Sequence, residues 1–546
     1  HSQRGVRVTD QSTADDTLAS GSHAMPGPVA VIDVGTSSIR LAIAEILSDG
    51  RIRNLENLSQ GVSLGKDTFT RGEIEKGTIE ECVRVLRAYR QKLDEYRISS
   101  PENLRVVATS AVREAANRLA FIDRLYVATG FSVEPIDEAE VHRITYRSVQ
   151  RMLSAEPELT DSPAVIVEVG GGNTEVLVVE HGDVAFAYSY RLGSLRLRQS
   201  LQLLRAPQAK VREIMQLETH RVLGGLRQYG ATNRPVELVT LGGDIRFAAR
   251  ELQPDWDPTT LARISGDDLA KFADRILGMT EDQLVRKYHL PFSEAETLGP
   301  ALLAYRELVQ ILGVKHVLVA SANLRDGIIR EMAEGGIFAK DFRDQIVRSA
   351  VEIGRKYAFD EQHARHVAEL SRKLFRELQD EHGLDARDEL LLYLAAHLYE
   401  IGGYVSNTSM HKHSMYLILN SDLFGLSAND KLLVALIARY HRRASPKPTH
   451  QGFNTLDRDR RVAVLKLAAI LRIAIALDAS RSQRVNNIQC QRSGTRLVIL
   501  VPNMDDLSVE QLALRQARIM FEEVYGLSVL LRTTERPELR GQSAQL

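Results

Sequence analysis

The stretch Val29-Ala30-Val31-Ile32-Asp33-Val34-Gly35-Thr36-Ser37-Ser38-Ile39-Arg40 decides the fold. A short apolar run ends on an acid and turns through glycine and three hydroxyl residues. Alternation then resumes from Ile39 to Leu47, which predicts strand, tight turn, strand. The construction returns further along. Ala164 to Val169 is an apolar strand, Gly170-Gly171-Gly172-Asn173-Thr174 is a turn, and Glu175 to Glu180 is a second strand. Two such units, with Asp33 and Glu168 near the ends of their first strands, read as an internal duplication. A third glycine pair, Gly242-Gly243, follows the strand Val236 to Leu241.

Turns of this composition suit condensed phosphate. Glycine lets the backbone come close, and free N–H groups and hydroxyls supply donors without bulk. An acid at the strand end can hold hydrated Mg²⁺, which neutralises phosphate charge. Asp33 and Glu168 are therefore the candidate metal ligands. Thr36, Ser37, Ser38, Gly170, Gly171, Gly172, Asn173, Thr174, Gly242 and Gly243 are the candidate phosphate contacts. Read singly, each turn is also an ordinary hairpin with a solvent-facing acid; a pair in the same order, with a third glycine turn behind them, argues against that. Neither turn matches Gly-x-x-x-x-Gly-Lys-Ser/Thr or Gly-x-Gly-x-x-Gly, which disfavours the other common nucleotide folds.

Around these turns lies a chain of 546 residues, too long for one hydrophobic core. Its 44% apolar and 26% charged content is that of an ordinary soluble protein. A net charge of -1 gives no global attraction to nucleic acid or membrane, so a polyanion must be held by a local groove. Two cysteines, Cys82 and Cys490, cannot build a disulfide framework and fit a reducing cytoplasm. No apolar run is long enough to suggest a membrane span. Residues 1–27 read as a disordered leader or the remnant of an expression tag. Strands and helices alternate over 28–150 and 151–337, with a charged helix expected from Asp137 to Leu153. From about Phe338 the pattern is almost wholly helical, through 338–484. The remainder, 485–546, offers short strands around an amphipathic helix from Val509 to Glu523.

These motifs resemble the Ppx/GppA family of exopolyphosphatases and guanosine pentaphosphate phosphohydrolases, within the actin-like ATPase superfamily. Asp33 to Arg40 is similar to that family's Asp-x-Gly-Ser-Asn-Ser-x-Arg turn, and Val167 to Glu175 to its Asp-x-Gly-Gly-Gly-Ser-Thr-Glu turn. Ala108-Thr109-Ser110-Ala111-Val112-Arg113-Glu114-Ala115-Ala116-Asn117 resembles its Ala-Thr-Ser-Ala-x-Arg-x-Ala-x-Asn segment. Leu241-Gly242-Gly243 and Ser321 to Gly327 match its later glycine turn and its Leu-Arg-Glu-Gly end. His411 to Ser421 and Arg439 to Arg442 resemble the C-terminal domain of its long members. The implied fold is α/β: two actin-like (ribonuclease-H-like) lobes, then an all-α HD-like domain and a small α+β unit. The implied activity is Mg²⁺-assisted removal of terminal phosphate from inorganic polyphosphate or guanosine pentaphosphate, with guanosine tetraphosphate a related ligand and a homodimer the implied assembly. Arg40 and Arg113 would grip phosphate oxygens in bidentate fashion.

Three positions depart from the family. Its acidic pair before Ala-Arg falls on Glu140-Val141, so the usual water-activating acid is replaced by Val141. Glu140 is the candidate substitute, with Glu138 and His142 behind it. At the second turn the family's Asp is Glu168, while Glu175 keeps its acid and is the second candidate catalytic residue. In the helical part the His-Asp pair of HD domains is replaced by Tyr399-Glu400, leaving His363, His366, His397, His411 and His413 as isolated histidines. Three readings follow: an active hydrolase; a polyphosphate or guanosine-nucleotide binding protein with weakened catalysis; and a small-molecule kinase of the same superfamily, for which no adenosine signature is present near Gly242-Gly243.

Overall fold

The computed structural model describes residues 27–100, 102–203, 210–230, 235–334, 340–442, 444–502, 504 and 506–534. Apart from Gly27, the expected leader lies outside these residues.

The first unit of the duplication becomes an antiparallel meander of β1 (Gly27–Val34), β2 (Ser38–Ile46) and β3 (Ile52–Gly61). On the other side of β1 lie the parallel strands β4 (Leu104–Ala108) and β5 (Glu134–Pro135), giving the order β3-β2-β1-β4-β5. The second unit repeats the plan with β6 (Ala164–Val169), β7 (Thr174–Glu180) and β8 (Asp183–Tyr190), followed by the parallel strand β9 (Glu237–Leu241). Two further strands, β10 (Ala262–Ser265) and β11 (His316–Val319), complete the order β10-β11-β9-β6-β7-β8.

The likeness of the halves extends to register. Asp33 pairs across its hairpin with Arg40, and Glu168 pairs with Glu175. Each turn is closed the same way, Gly35 N–H to Ser38 O at 3.0 Å and Gly170 N–H to Asn173 O at 2.9 Å. Each second strand slips register against the third, between Ile43 and Ala44 in one lobe and between Val178 and Val179 in the other.

β1 and β6 are nearly continuous apolar runs because both faces of each sheet are covered. In the first lobe one face packs on the helices Lys76–Glu95 and Arg118–Thr129 through Leu86, Phe121 and Leu125. The other face is covered by Glu138–Ala155 and by Leu324–Glu334, which place Ile144, Ile328 and Ile329 on Val29, Val31 and Ala42. The second of these helices follows the last strand of lobe two and returns to lobe one.

Several elements differ from the sequence expectation. The third strands β3 and β8 are additional; β3 is a mostly exposed edge, so its polar face hides the alternation. After Thr109 the chain forms two helices, Ser110–Glu114 and Arg118–Thr129. Asn117 fixes the break by accepting from Ile74 N–H at 2.9 Å and donating to Ile74 O at 2.8 Å. The last strand of the first sheet is only two residues long, Glu134–Pro135.

Beyond Lys340 the chain is helical to Leu477, and its end forms β12 (Gln489–Ser493), β13 (Arg496–Pro502), the helix Ser508–Tyr525 and β14 (Ser528–Thr534). One continuous apolar core runs from the outer face of the second sheet (Ile166, Leu177, Val239) through Ile346, Leu374 and Leu471 to Leu514 and Phe521. Among the described residues no helix is long and apolar enough to cross a membrane.

Candidate active site

The two duplicated turns meet. A cleft of about 380 Å³ between the lobes is lined by Asp33, Gly35, Thr36, Ser37, Ser38 and Arg40 from one side, and by Glu168, Gly170, Gly171, Gly172, Asn173 and Glu175 from the other. Backbone contact is so close that a methyl on Gly171 would lie 2.9 Å from Thr36 Cγ2, and one on Gly172 only 2.4 Å from Ser110 Oγ. Glycine here is a requirement of the lobe contact. The third glycine pair also reaches the cleft, with Gly242 as N-cap of the helix Gly243–Leu252, whose positive end favours anions.

Most predicted residues converge, and two do not. Thr174 is fully buried and its hydroxyl donates to Leu192 O, so it fastens β7 to the chain after β8 instead of facing a ligand. Glu140 is likewise corrected. Asp137 N-caps the helix, its carboxylate accepting from Glu140 N–H at 2.9 Å, while Glu140 Oε2 accepts from Asp137 N–H at 3.1 Å. This capping box fixes the helix start and turns Glu140 away. Val141 takes the place on the cleft wall.

Behind the cleft, His142 reaches what Glu140 does not. Its Nε2 lies 2.9 Å from Glu175 Oε2, and Ser189 Oγ donates to the same oxygen. Glu175 is thus held from behind by one oxygen while the residue faces the cleft. Arg113 lines the cleft but also donates to Ile136 O at 2.8 Å and faces Glu138 at 3.7 Å. Burial pushes the Glu138 carboxyl up, with Arg113 opposing.

Arg246, Arg325 and Asp244 are cleft residues that sequence reading missed. Arg325 Nη1 stands 3.3 Å from Asp33 Oδ2, carried there by the returning helix. Arg246 donates to Ala322 O at 3.1 Å, and its charge opposes the burial that raises the Glu168 carboxyl. The Asp244 carboxyl is pushed up to about 7 by burial in the wall, with Glu294 adding to the shift. Arg325 belongs to the Leu-Arg-Asp-Gly stretch noted in the sequence, so a signal was present; Arg246 and Asp244 had none.

The cleft is lined by five carboxylates (Asp33, Glu168, Glu175, Asp244, Glu294) and four arginines (Arg40, Arg113, Arg246, Arg325). That balance does not attract a polyanion unless a cation offsets the acids. Asp33 Oδ1 is buried with no hydrogen-bond partner, and the Glu168 carboxylate makes no hydrogen bond among the described residues. Two hard oxygen donors lacking protein partners in a phosphate cleft fit Mg²⁺. Asn173 Nδ2 is likewise buried without an acceptor, a donor left over for an anion.

Glycine turns, arginines and paired acids on this frame define a phosphate-handling enzyme of the actin-like fold. The family model "Ppx/GppA phosphatase family" matches residues 28–335, and "Ppx/GppA phosphatase, domain III" matches 346–516. The chain belongs to the Ppx/GppA phosphatase family. It is 29% identical over 328 residues to Exopolyphosphatase 2 of Mycobacterium tuberculosis, covering 56% of this chain and 98% of that protein. It is 23% identical over 471 residues to the guanosine-5'-triphosphate,3'-diphosphate pyrophosphatase of Aeromonas hydrophila, covering 83% of this chain and 88% of that protein. The solved structure of an exopolyphosphatase from Cytophaga hutchinsonii shares the fold, at a TM-score of 0.50 and 22% identity over 57% of this chain and 98% of that one.

Proposed function

We propose that the chain hydrolyses the terminal phosphoanhydride of inorganic polyphosphate or guanosine pentaphosphate in the cleft between its lobes. The observation that carries this is Glu175: a carboxylate on the cleft wall, beside the glycine turn, braced from behind by His142 and Ser189. The hydroxyls and backbone N–H groups of the turns hold the terminal phosphate, and Arg40, whose side chain has no hydrogen-bond partner among the described residues, grips its oxygens. Asp33 and Glu168 would hold Mg²⁺, which supplies charge neutralisation.

Glu175 orients water for in-line attack and takes its proton. A water oxygen–phosphorus bond forms as the bridging P–O bond breaks, leaving orthophosphate and a chain one phosphate shorter. His142 is a positioning residue that fixes the carboxylate through Nε2. This arrangement stands in for the acid that Val141 lacks.

Val141 also supports a second reading, tight polyanion binding with weak turnover. The test is orthophosphate release from long-chain polyphosphate and from guanosine pentaphosphate with Mg²⁺. Glu175→Gln should lower the rate by about 100-fold or more, and His142→Gln should lower kcat about tenfold with little change in KM. If the parent chain releases no more phosphate than Glu175→Gln but gains turnover on Val141→Glu, the hydrolase reading fails and the binding reading stands.

A further inference from the structure

A second cavity, about 800 Å³, lies between the helical part and the helix Ser508–Tyr525, and its lining holds two polar groups: His363, Tyr399, Glu400 and Asp478, and Arg439, Arg442 and Arg472. Within the first group, Tyr399 and Glu400 stand where the resemblance places the His-Asp pair of a metal centre. There the polar groups are already matched to one another. His363 Nδ1 meets Asp478 Oδ2 at 2.7 Å and its Nε2 meets Tyr399 Oη at 2.6 Å. Glu400 accepts from Arg481 Nη2 at 2.7 Å, and the same guanidinium reaches Asp360 at 3.2 Å. Arg481 supplies the neutralisation that a cation would bring.

The second group has the opposite character. Arg472 is only 5% exposed, yet it has no carboxylate partner among the described residues. Its Nε and Nη2 donate to the carbonyls of Tyr440 and Ala444, each at 2.7 Å, and burial lowers its pKa to about 10. The nearest counter-charge acting on it is Glu523, which forms no ion pair with it, and a buried guanidinium so weakly compensated favours an added anion. Arg439 rests on the Tyr440 ring and donates only to Met415 Sδ at 3.2 Å, and Arg442 has no partner among the described residues. Beside them His411 Nδ1 is buried without a partner, its protonation opposed by burial and then by Arg442, Lys412 and Arg439. The two acids on the wall, Glu400 and Asp478, are spoken for. Positive charge is left over.

The remaining wall is apolar, with Met410, Ile475, Ala513 and Ala517, and it carries the Tyr399 and His441 rings with centroids 4.8 Å apart. Burial drives the His441 imidazole down to about 3, so that ring is neutral. Three arginines in one lining with apolar and aromatic residues, in a space of ligand size, match a compact anion with a flat organic body.

We propose that this cavity is a binding site for a nucleoside phosphate, its phosphate held by Arg439, Arg442 and Arg472 and its base against the apolar wall. The site is independent of the reaction in the cleft. Its test uses the full chain and ligands that have no phosphoanhydride for the cleft to cut: AMP, GMP and inorganic phosphate, by titration calorimetry. One AMP or GMP should bind per chain at least tenfold more tightly than inorganic phosphate. Affinity should fall at least tenfold in the Arg439→Gln/Arg442→Gln double variant and in Arg472→Gln, and stay unchanged in the cleft variant Arg40→Gln. If Arg472→Gln does not fold, the rim double variant decides alone. The proposal is overturned if neither nucleotide binds, if phosphate binds as tightly as they do, or if the double variant keeps the parent's affinity.

Discussion

The interlobe cleft and the helical-domain cavity are both built from arginines and acids, but only the cleft leaves carboxylate oxygens unmatched. In the cleft the leftover groups are of both kinds, the acceptors Asp33 Oδ1 and the Glu168 carboxylate beside the donors Asn173 Nδ2 and Arg40. In the helical cavity the acids are tied to His363 and Arg481, and the leftover groups are guanidiniums. What a cavity can hold follows from its unmatched groups more than from its composition. The first has places for a cation and for phosphate side by side; the second has leftover guanidiniums and no free acid.

The sharpest way to separate the two regions is Gly172→Val. The added carbon atoms must displace Ser110 and Phe69, 2.4 and 2.7 Å from the first of them, and so push the lobes apart. Phosphate release should fall about 100-fold, as expected when reacting groups are misplaced by an ångström, while AMP binding in the helical cavity is unchanged by calorimetry. Equal loss in both would mean the two sites are one coupled unit and the comparison fails.

A smaller effect is expected from Arg481→Gln. Glu400, whose side chain is 10% exposed, loses its guanidinium partner, and Asp360 loses one as well. Because Arg481 itself is half exposed, the cost should be about 1–2 kcal/mol, less than for a fully buried pair. Chemical denaturation should show it. No change would mean that the acids are already neutral or solvated and that Arg481 does not stand in for a metal.

The smallest effect concerns pH. Asp244 titrates at about 7 in the folded chain against 3.8 as an ordinary carboxyl. Its stabilising contribution is fully present below pH 3.8 and is lost as pH rises through about 7. Asp244→Asn lacks that slope, so its thermal stability relative to the parent should improve between pH 5 and pH 8 by about 1 kcal/mol, allowing for solvent in the cleft. A constant difference across that range would place the Asp244 titration elsewhere.

Both strand–turn–strand units, the acids near the ends of their first strands and the helical character beyond Phe338 were legible along the chain, because hairpins and helices obey local periodicity and turn chemistry. The capping box that turns Glu140 away is also local: Asp137 and Glu140 stand three apart, so the correction was available from spacing. Thr174 was not legible in this way, since its partner Leu192 lies on the far side of β8.

Other relationships belong to three dimensions alone. Arg325 meets Asp33 only because the helix after the last strand of lobe two returns to cover lobe one. His142 becomes the brace of Glu175 only because the capped helix aims it at β7. That Arg472 is held by two carbonyls and by no carboxylate in contact is set by segments far from it in the chain. Local pattern dictates where the chain turns and what chemistry each turn offers; packing between distant segments decides which charges are satisfied, because electrostatic compensation depends on distance through space and not along the backbone.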